Sequence, residues 1–193
     1  RGHLDIVKYL HENCNKKIDT LCIKRAIYNN NINVVKYILQ FKSVETYMII
    51  TALNSRNTSL IDLFFNYDSL TCDYGEILSS TILNKNFDKF LYTLETKNIE
   101  SKYLNIAFEN ACVIDDIKIA KILSNRVTLT FEEQLYKAIV HNSKHITNFL
   151  LQMSGKNIVI ENRMINMIVN RGYHDILKLL LNYGVKINVQ MLY

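Results

Sequence analysis

The sequence predicts an all-α fold, a helix-turn-helix solenoid of about six to seven short repeats. Three observations support this prediction. The 193 residues contain no proline, apolar residues recur three and four positions apart, and one amphipathic segment returns every 26 to 30 residues. Because one such segment cannot bury its apolar face alone, the copies are expected to stack against one another.

The repeat is clearest in residues 1–10 and 171–180, RGHLDIVKYL and RGYHDILKLL. Each copy is typical of a tight glycine turn followed by an amphipathic helix with an acidic residue in its first turn. The other copies align on the residue that follows the turn, here called the anchor, and the mean interval is about 28 residues. Positions are counted from the anchor, with negative numbers before it. The seven anchors are Asp5, Asn33, Ser59, Asp88, Lys118, His145 and Asp175.

The helix that carries the anchor is the second helix of each repeat. It has mostly apolar residues at +1 and +2 and again at +4 and +5, and these positions fall on one stripe of a helix. In the first copy the two pairs are Ile6-Val7 and Tyr9-Leu10. Position +3 lies between the pairs and is predicted to face solvent. It carries Lys8, Lys36, Lys121 and Lys178.

A first helix is predicted before each turn. Position −10 is apolar in every copy, and four of the six alanines in the chain fall at position −7. A small side chain at −7 lets two helices approach closely, so we interpret this column as a packing requirement. The four alanines are Ala26, Ala52, Ala111 and Ala138. Asp73 with Glu76, and Thr130 with Glu133, have capping-box spacing at the starts of two first helices.

Residues 2–10 resemble the second-helix signature of ankyrin repeats, and residues 172–181 repeat it. The ending Gly184-Val185-Lys186-Ile187-Asn188 resembles the Gly-Ala-Asp-Val-Asn loop that follows that helix. The alanines at −7 match the alanine of the family's first helix. The resemblance covers the whole chain, strongly in the first and last copies and weakly between them. It implies an ankyrin-type solenoid that serves as a non-catalytic protein-protein interaction scaffold.

Two departures from the family pattern change the expected architecture. No copy has the family's Thr-Pro-Leu-His start, and the interval of about 28 residues is shorter than the usual one of about 33. The missing residues must come from the loops between repeats, so few or no β-hairpin fingers are expected. Short arrays rich in asparagine and isoleucine are similar to those of giant DNA viruses and of amoebae.

No linker of proline, glycine, serine or like charges divides the chain, so residues 1–193 are predicted to form a single ankyrin-repeat array. Arg1 enters a repeat at its turn, Tyr193 stops before the next core position, and neither end has the polar cap that solenoids need. The array is therefore expected to be a fragment cut at both ends. The alternative is a naturally short protein with half-repeats.

The composition limits which classes of partner and which cellular compartment are expected. The net charge of +5 is mild and evenly spread, so a nucleic-acid partner is not favoured, and no apolar run approaches the length of a membrane span. The cysteines have no metal-type spacing and are expected to be buried, reduced and inert. They are Cys14, Cys22, Cys72 and Cys112. This favours an intracellular, cytoplasmic protein, located in the host cytoplasm or the virion if it is viral.

No constellation of residues indicates catalysis, so no enzymatic activity, cofactor or metal site is predicted. His141 and His145 have metal-ligand spacing for one helix face, but the repeat register places the turn between them. The adjacent carboxylates of Asp115 and Asp116 fall in a turn, where they are expected to form a solvated loop and a helix cap.

The ankyrin resemblance implies that positions −8, −5 and −4 of the first helices line a concave binding groove. These positions vary in chemistry while the core positions do not. The predicted protein-binding residues are Arg25, Tyr28, Asn29, Thr51, Asn54, Ser80, Leu83, Val113, Lys137, His141, Met167, Asn170 and Arg171. Apolar members with a rim of Arg25, Lys137 and Arg171 favour a protein partner with apolar and acidic features. The alternative is that these side chains pack between neighbouring first helices.

Two other functions stay open from the sequence. The array could be a structural or assembly component of a viral or cellular particle, stacking with further repeats or copies. It could also be the recognition arm of an enzyme, such as a ubiquitin-ligase adaptor or a kinase, whose active part lies outside this segment.

Overall fold

Helices account for all the regular structure in the part of the chain that the structure describes. The computed structural model describes residues 2–14, 17–67, 71–154 and 160–184, and these form thirteen α-helices and no strand. The helices are α1 (Leu4–Asn13), α2 (Thr20–Tyr28), α3 (Ile32–Ile38), α4 (Thr46–Asn54), α5 (Thr58–Phe65), α6 (Tyr74–Leu83), α7 (Phe87–Thr96), α8 (Ser101–Val113), α9 (Ile117–Ser124), α10 (Phe131–Val140), α11 (Lys144–Ser154), α12 (Asn162–Asn170) and α13 (His174–Asn182).

The predicted repeat register is confirmed. Every anchor is the second residue of a helix, so the odd-numbered helices are the second helices of the repeats and the even-numbered ones are the first helices. Six complete pairs, α2–α3 to α12–α13, follow α1. The expected absence of β-hairpin fingers holds for the described residues. The loop-like ending at residues 185–188 lies outside the described residues.

The helices group into two compact units, Arg1–Asn98 and Ile99–Tyr193. In the first unit the two helices of each pair pack together, α4 packs between α2 and α6, and α1 packs on α3. In the second unit α10 packs between α8 and α12, and α11 packs between α9 and α13. Each unit therefore has a row of first helices and a row of second helices.

The turn inside each repeat places position −3 in the left-handed region of backbone conformation. The six residues are Asn30, Arg56, Lys85, Asp115, Asn142 and Gly172, with φ between 50° and 67°. In every turn the N–H at −3 donates to the carbonyl at −6, and the N–H at −2 donates to the carbonyl at −7. Asn31 N–H, for example, lies 2.9 Å from the Ala26 carbonyl oxygen. This pair of bonds is the Schellman motif, and it ends each first helix.

Position −7 therefore has two tasks, because its carbonyl closes the turn and its side chain lies in the core. All six residues in this column are buried, and the four alanines are at most 5% exposed. In the four repeats that have alanine at −7, a larger side chain would press against the neighbouring helix, whereas the α12–α13 pair accommodates the buried Ile168 there. The interpretation of the alanine column as a packing requirement agrees with this geometry.

The stripe of the second helices is mostly buried, as predicted, but α1 is an exception. Val34, Val35 and Ile38 of α3 are buried, whereas the equivalent residues of α1 are exposed or half-buried. No residue of α1 is buried, because the helix packs against α3 on one side only. The four lysines at +3 are exposed, which confirms that this position faces solvent.

Side chains satisfy the first N–H groups of many helices. Thr130 and Glu133 form the complete capping box predicted for α10. Asp73 accepts hydrogen bonds from the N–H groups of Gly75 and Glu76, while its own N–H donates to Thr46 Oγ1 instead of to Glu76. The capping box predicted at Asp73 is therefore only half formed, because the neighbouring repeat supplies the other partner.

Some caps reach from one repeat to the next. The carboxylate of Asp115 accepts hydrogen bonds from the N–H groups of His145 and Ile146, at 3.2 and 3.1 Å, and so caps α11. In the first unit Asn57 Nδ2 donates to Asn30 Oδ1 over 2.5 Å. In both cases the left-handed residue of one turn bonds to the start of the next second helix. Asp116 caps its own helix α9, as expected.

The four cysteines are free, but the expectation that all are buried is wrong. Cys14 and Cys22 are exposed and Cys72 is half-buried, because they lie at a helix end or on outward positions. Cys112 alone is buried, and burial raises the pKa of its thiol to about 12. The Cys112 thiol therefore stays protonated and behaves as a small apolar side chain.

Replacing Ala138 with leucine should overpack the α10–α11 pair. Ala138 is fully buried, so the added atoms have no free volume, and we expect a loss of about 1–3 kcal/mol of unfolding free energy in urea melts. Lys36→Ala, at an exposed position, is the control and should cost under about 0.5 kcal/mol. Equal stability of both variants would contradict the register.

Replacing Lys85 with glycine should stabilise the chain. Lys85 has φ 55°, a conformation that costs an L-residue about 1–2 kcal/mol, while glycine loses only about 0.5–1 kcal/mol of backbone entropy there. The expected gain in unfolding free energy is up to about 1 kcal/mol. Gly172→Ala, at φ 67°, should shift the urea midpoint the opposite way. A lower midpoint for Lys85→Gly would refute this account of the turn.

Candidate functional site

Position −5 is the most exposed of the predicted binding positions in the first unit. Tyr28, Asn54 and Leu83 occupy it at the ends of α2, α4 and α6, and all three are exposed. These helices lie side by side, so the three side chains form one face. The structure thus brings together a phenol, an amide and an isobutyl group on a shared surface.

Position −8 behaves differently, and two of the predicted binding residues are not accessible. Thr51 is 6% exposed and Ser80 is 7% exposed, so their assignment to a binding surface is corrected. Thr51 lies on α4, which has a first helix on both sides, and its hydroxyl donates to the Tyr47 carbonyl. Thr51 therefore packs between first helices, as the alternative predicted, and Ser80 is buried on α6, which packs against α4. Arg25 on α2 is exposed.

Position −4 contributes amides that are partly engaged with their own helices. Asn29 is exposed, and its Nδ2 donates to the Arg25 carbonyl over 2.8 Å. Asn84 Nδ2 donates to Asn54 Oδ1 and to the Ser80 carbonyl, both at 2.9 Å. These bonds link the ends of α4 and α6 and fix the side chain of Asn54.

An open groove of about 700 Å³ runs along this face of the first unit. Of the residues assigned to the binding surface from the sequence, Tyr28, Asn54 and the mostly buried Thr51 contribute to its wall. The other lining residues were not assigned to a binding surface from the sequence, and they are Lys24, Ser43, Glu45, Thr46, Tyr47, Ile50, Thr71 and Glu76. The groove therefore extends from the predicted stripe toward the starts of α4 and α6.

Helical periodicity could have predicted two of these lining residues from the sequence. Position −9 lies four residues before −5, so the two positions share one helix face. Lys24 and Ile50 occupy −9 and line the groove beside Tyr28 and Asn54. Lys24 Nζ lies 5.5 Å from the centre of the Tyr47 ring, close enough for a cation–π contact.

In the second unit the predicted residues form a separate face on α8, α10 and α12. Val113, Asn170 and Arg171 are exposed, while Lys137 and Met167 are half-buried. Adjacent helices α8, α10 and α12 carry them side by side. Val113 and Asn170 occupy −5 on α8 and α12, whereas Val140, at −5 of α10 between them, is half-buried.

An ion-pair network holds the middle of this second face. Lys137 Nζ lies 2.6 Å from Glu109 Oε2, and His141 Nε2 lies 3.2 Å from Glu109 Oε1. The hydrogen bond from Lys137 lowers the pKa of Glu109, and the hydrogen bond from His141 lowers it further. Partial burial raises this pKa, but the net shift is downward. The sequence reasoning missed Glu109, although it occupies −9, four residues before Val113.

The cations that were expected to rim the groove in the second unit already have protein partners. Lys137 is bound to Glu109, and Arg171 donates to the Val140 carbonyl and to the Tyr173 hydroxyl, both at 3.2 Å. Both side chains therefore already form contacts that link neighbouring first helices. Attraction of an acidic partner would have to compete with these bonds.

The two histidines with metal-ligand spacing bond to different carboxylates. His141, before the turn between α10 and α11, contacts Glu109. His145 lies after that turn, and its Nδ1 is 2.7 Å from Oδ2 of Asp115 in the preceding repeat. Among the described residues no group of three or more His, Cys, Asp or Glu side chains is placed to hold a metal ion. Over the same residues, no helix has both the length and the hydrophobicity to span a bilayer.

Comparison with solved structures identifies the architecture. An ankyrin repeat domain from Acinetobacter baumannii AYE, solved at 1.00 Å resolution, matches with a TM-score of 0.56 and 17% sequence identity. The match covers 87% of this chain and 100% of that domain. No protein-family model matches the sequence, and neither does any curated protein. The chain has the ankyrin-repeat fold, which was predicted from its second-helix signature.

The network around Glu109 predicts an acid-sensitive contribution to stability. Because the pKa of Glu109 is lowered on folding, its stabilising effect is present above the ordinary glutamate pKa and is lost as pH falls through the folded value. We expect Glu109→Gln to lower the unfolding free energy at neutral pH by about 0.5–1 kcal/mol, as for partly exposed pairs.

The measurement is a series of urea melts between about pH 3 and pH 6, spanning the usual glutamate range. The difference between wild type and Glu109→Gln should shrink toward the acid end. Glu100→Gln, which removes an exposed pair with Lys102, is the matched control and should have little effect. A difference that is constant across this range would contradict the assignment.

Proposed function

We propose that the chain is a non-catalytic protein-protein interaction scaffold that binds its partner on the faces formed by its first helices. The observation that carries this proposal is position −5. It is exposed on five of the six first helices, with Val140 half-buried, and it varies in chemistry, while positions −7 and −10 on the same helices are filled with core residues. A constant core under a variable surface is the arrangement of a binding scaffold.

The chemistry of the first face supports a protein ligand. Tyr28 and Leu83 offer exposed apolar area, and the groove beside Tyr28 is open along its length with mixed aromatic and polar walls. Aromatic anchors in a partly polar setting are typical of protein interfaces. The fold supports the same function, because ankyrin-type stacks present extended surfaces built from successive repeats.

The charges of the groove in the first unit favour a cationic side chain on the partner. Glu45 and Glu76 line the groove with Lys24, and Lys24 is placed over the Tyr47 ring. The partner segment that fits is therefore apolar with a basic residue. This differs from the acidic partner that the rim cations suggested, since Lys137 and Arg171 already have partners. The free cysteines favour a reducing, intracellular compartment.

A peptide library displayed on phage and selected on the wild-type chain provides the probe. For a selected peptide, Tyr28→Ala should weaken binding at least about tenfold, or about 1.4 kcal/mol, measured by titration calorimetry. Glu45→Gln should weaken binding at low salt, and this effect should shrink as salt is added.

Lys36→Ala, an exposed change on a second helix, is the control and should leave the affinity unchanged. If selected peptides bound Tyr28→Ala and Leu83→Ala as tightly as wild type, the first-helix face would not be the binding surface.

A further inference from the structure

One wall of the groove in the first unit is an aromatic ring whose hydroxyl is buried. Tyr47, in the first turn of α4, lines the groove. Burial of its hydroxyl raises the pKa of the phenol, and the negative charge of Glu45 raises it further, so the group stays neutral. The groove therefore meets the ring of Tyr47 and not its hydroxyl. The face of such a ring carries negative charge density, which attracts cations.

A cation of the chain itself occupies this ring. Lys24, at −9 of α2, is exposed, and its Nζ lies 5.5 Å from the centre of the Tyr47 ring. Within the described part of the chain, no carboxylate forms an ion pair with this ammonium group. Lys89 differs, because it lies 5.1 Å from the Phe65 ring centre and also forms a 2.7 Å ion pair with Asp62. Lys24 is thus the more easily displaced of the two lysines.

Two carboxylates of the same groove are free of hydrogen bonds and ion pairs among the described residues. Glu45 precedes α4 without capping it, and Glu76 lies in the first turn of α6. A complete capping box would have engaged Glu76, but the N–H of Asp73 donates to Thr46 Oγ1 instead. The groove therefore carries two carboxylates and one ammonium group, a net charge of −1.

We infer that the groove binds a lysine side chain of the partner on the Tyr47 ring, and that Lys24 is a built-in competitor for that place. Lys24 shows that an ammonium group fits there, and a second ammonium group would balance the charges of Glu45 and Glu76. The incoming lysine displaces Lys24, since two ammonium groups repel each other on one ring. This inference rests on the proposed function, because it names the partner side chain that the same face selects.

The competition makes Lys24 a determinant of specificity. A neutral side chain gains nothing from the carboxylates and meets a ring that is already occupied. A lysine side chain gains from both the ring and the carboxylates, which offsets the displacement of Lys24. Removing the charge of Lys24 should therefore strengthen the binding of lysine and leave the binding of a neutral side chain unchanged.

Lys24→Met tests this directly, because methionine keeps an unbranched apolar side chain and removes only the charge. The probe is a capped synthetic peptide with one lysine between two leucines, and its neutral twin has norleucine in place of the lysine. In NMR titrations the lysine peptide should bind Lys24→Met at least about threefold more tightly than the wild type. The norleucine peptide should bind both proteins equally.

A second readout follows Lys24 itself. Its ε-methylene protons lie near the Tyr47 ring, so the ring current should shift their NMR signal upfield in the free chain. The lysine peptide should reverse this shift as Lys24 leaves the ring. In the Lys24→Met background, Glu76→Gln should weaken binding of the lysine peptide, most strongly at low salt. Lys36→Met, the same change of charge on a second helix, is the matched control and should bind like the wild type.

Three results would overturn the inference: equal or weaker binding of the lysine peptide to Lys24→Met, binding of this peptide to neither protein, or unchanged Lys24 signals while the peptide binds. The proposed function would survive each of them if Tyr28→Ala still weakened a phage-selected peptide. Selected peptides that were indifferent to both Tyr28→Ala and Leu83→Ala would instead remove the first-helix face as the binding surface, and the lysine site with it.

Discussion

The turn at position −3 is the constraint on which the rest of the structure depends. A left-handed residue there allows two hydrogen bonds that end the first helix and begin the second within three residues. One of those bonds uses the carbonyl at −7, which places that residue where the two helices cross. The small side chain at −7 and the short turn are therefore parts of one requirement. All six complete repeats form the two hydrogen bonds and four of them have alanine at −7, although only one has glycine at −3.

The same geometry separates the tasks of the two helices. Core residues at −10 and −7 fix the buried side of each first helix, and position −5 is exposed on all of them except α10, where Val140 is half-buried. Position −8 lies between these directions, so on α4 and α6 it is covered by the neighbouring helix. The accessible surface is consequently narrower than a simple count of non-core positions indicates. It is also extended by −9, which brings Lys24, Ile50 and Glu109 to the faces.

The sequence was sufficient for the fold because hydrophobic periodicity repeated seven times over reports helix boundaries directly. It was insufficient to predict the backbone conformation of the turns. Arg56 and Lys85 adopt the left-handed conformation, which these residue types rarely adopt. It was also insufficient for pairs such as Glu109 with Lys137, which lie about one repeat apart and meet only when two first helices pack. Contacts between repeats depend on side-chain rotamers and on the distance between neighbouring helices. The residue pattern along one helix does not specify either of them. For that reason the sequence left open whether Thr51 and Ser80 are exposed or packed against neighbouring helices.

The hydrogen bonds of Asp115 show that the junctions between repeats differ in their chemistry. Its carboxylate caps the helix of the following repeat, while asparagines of successive turns bond to each other at the equivalent junction in the first unit. A repeat excised or duplicated by recombination would arrive with a neighbour that lacks its complementary group. The start of α11 therefore depends on a carboxylate of the preceding repeat, and without Asp115 two of its N–H groups would lose that acceptor.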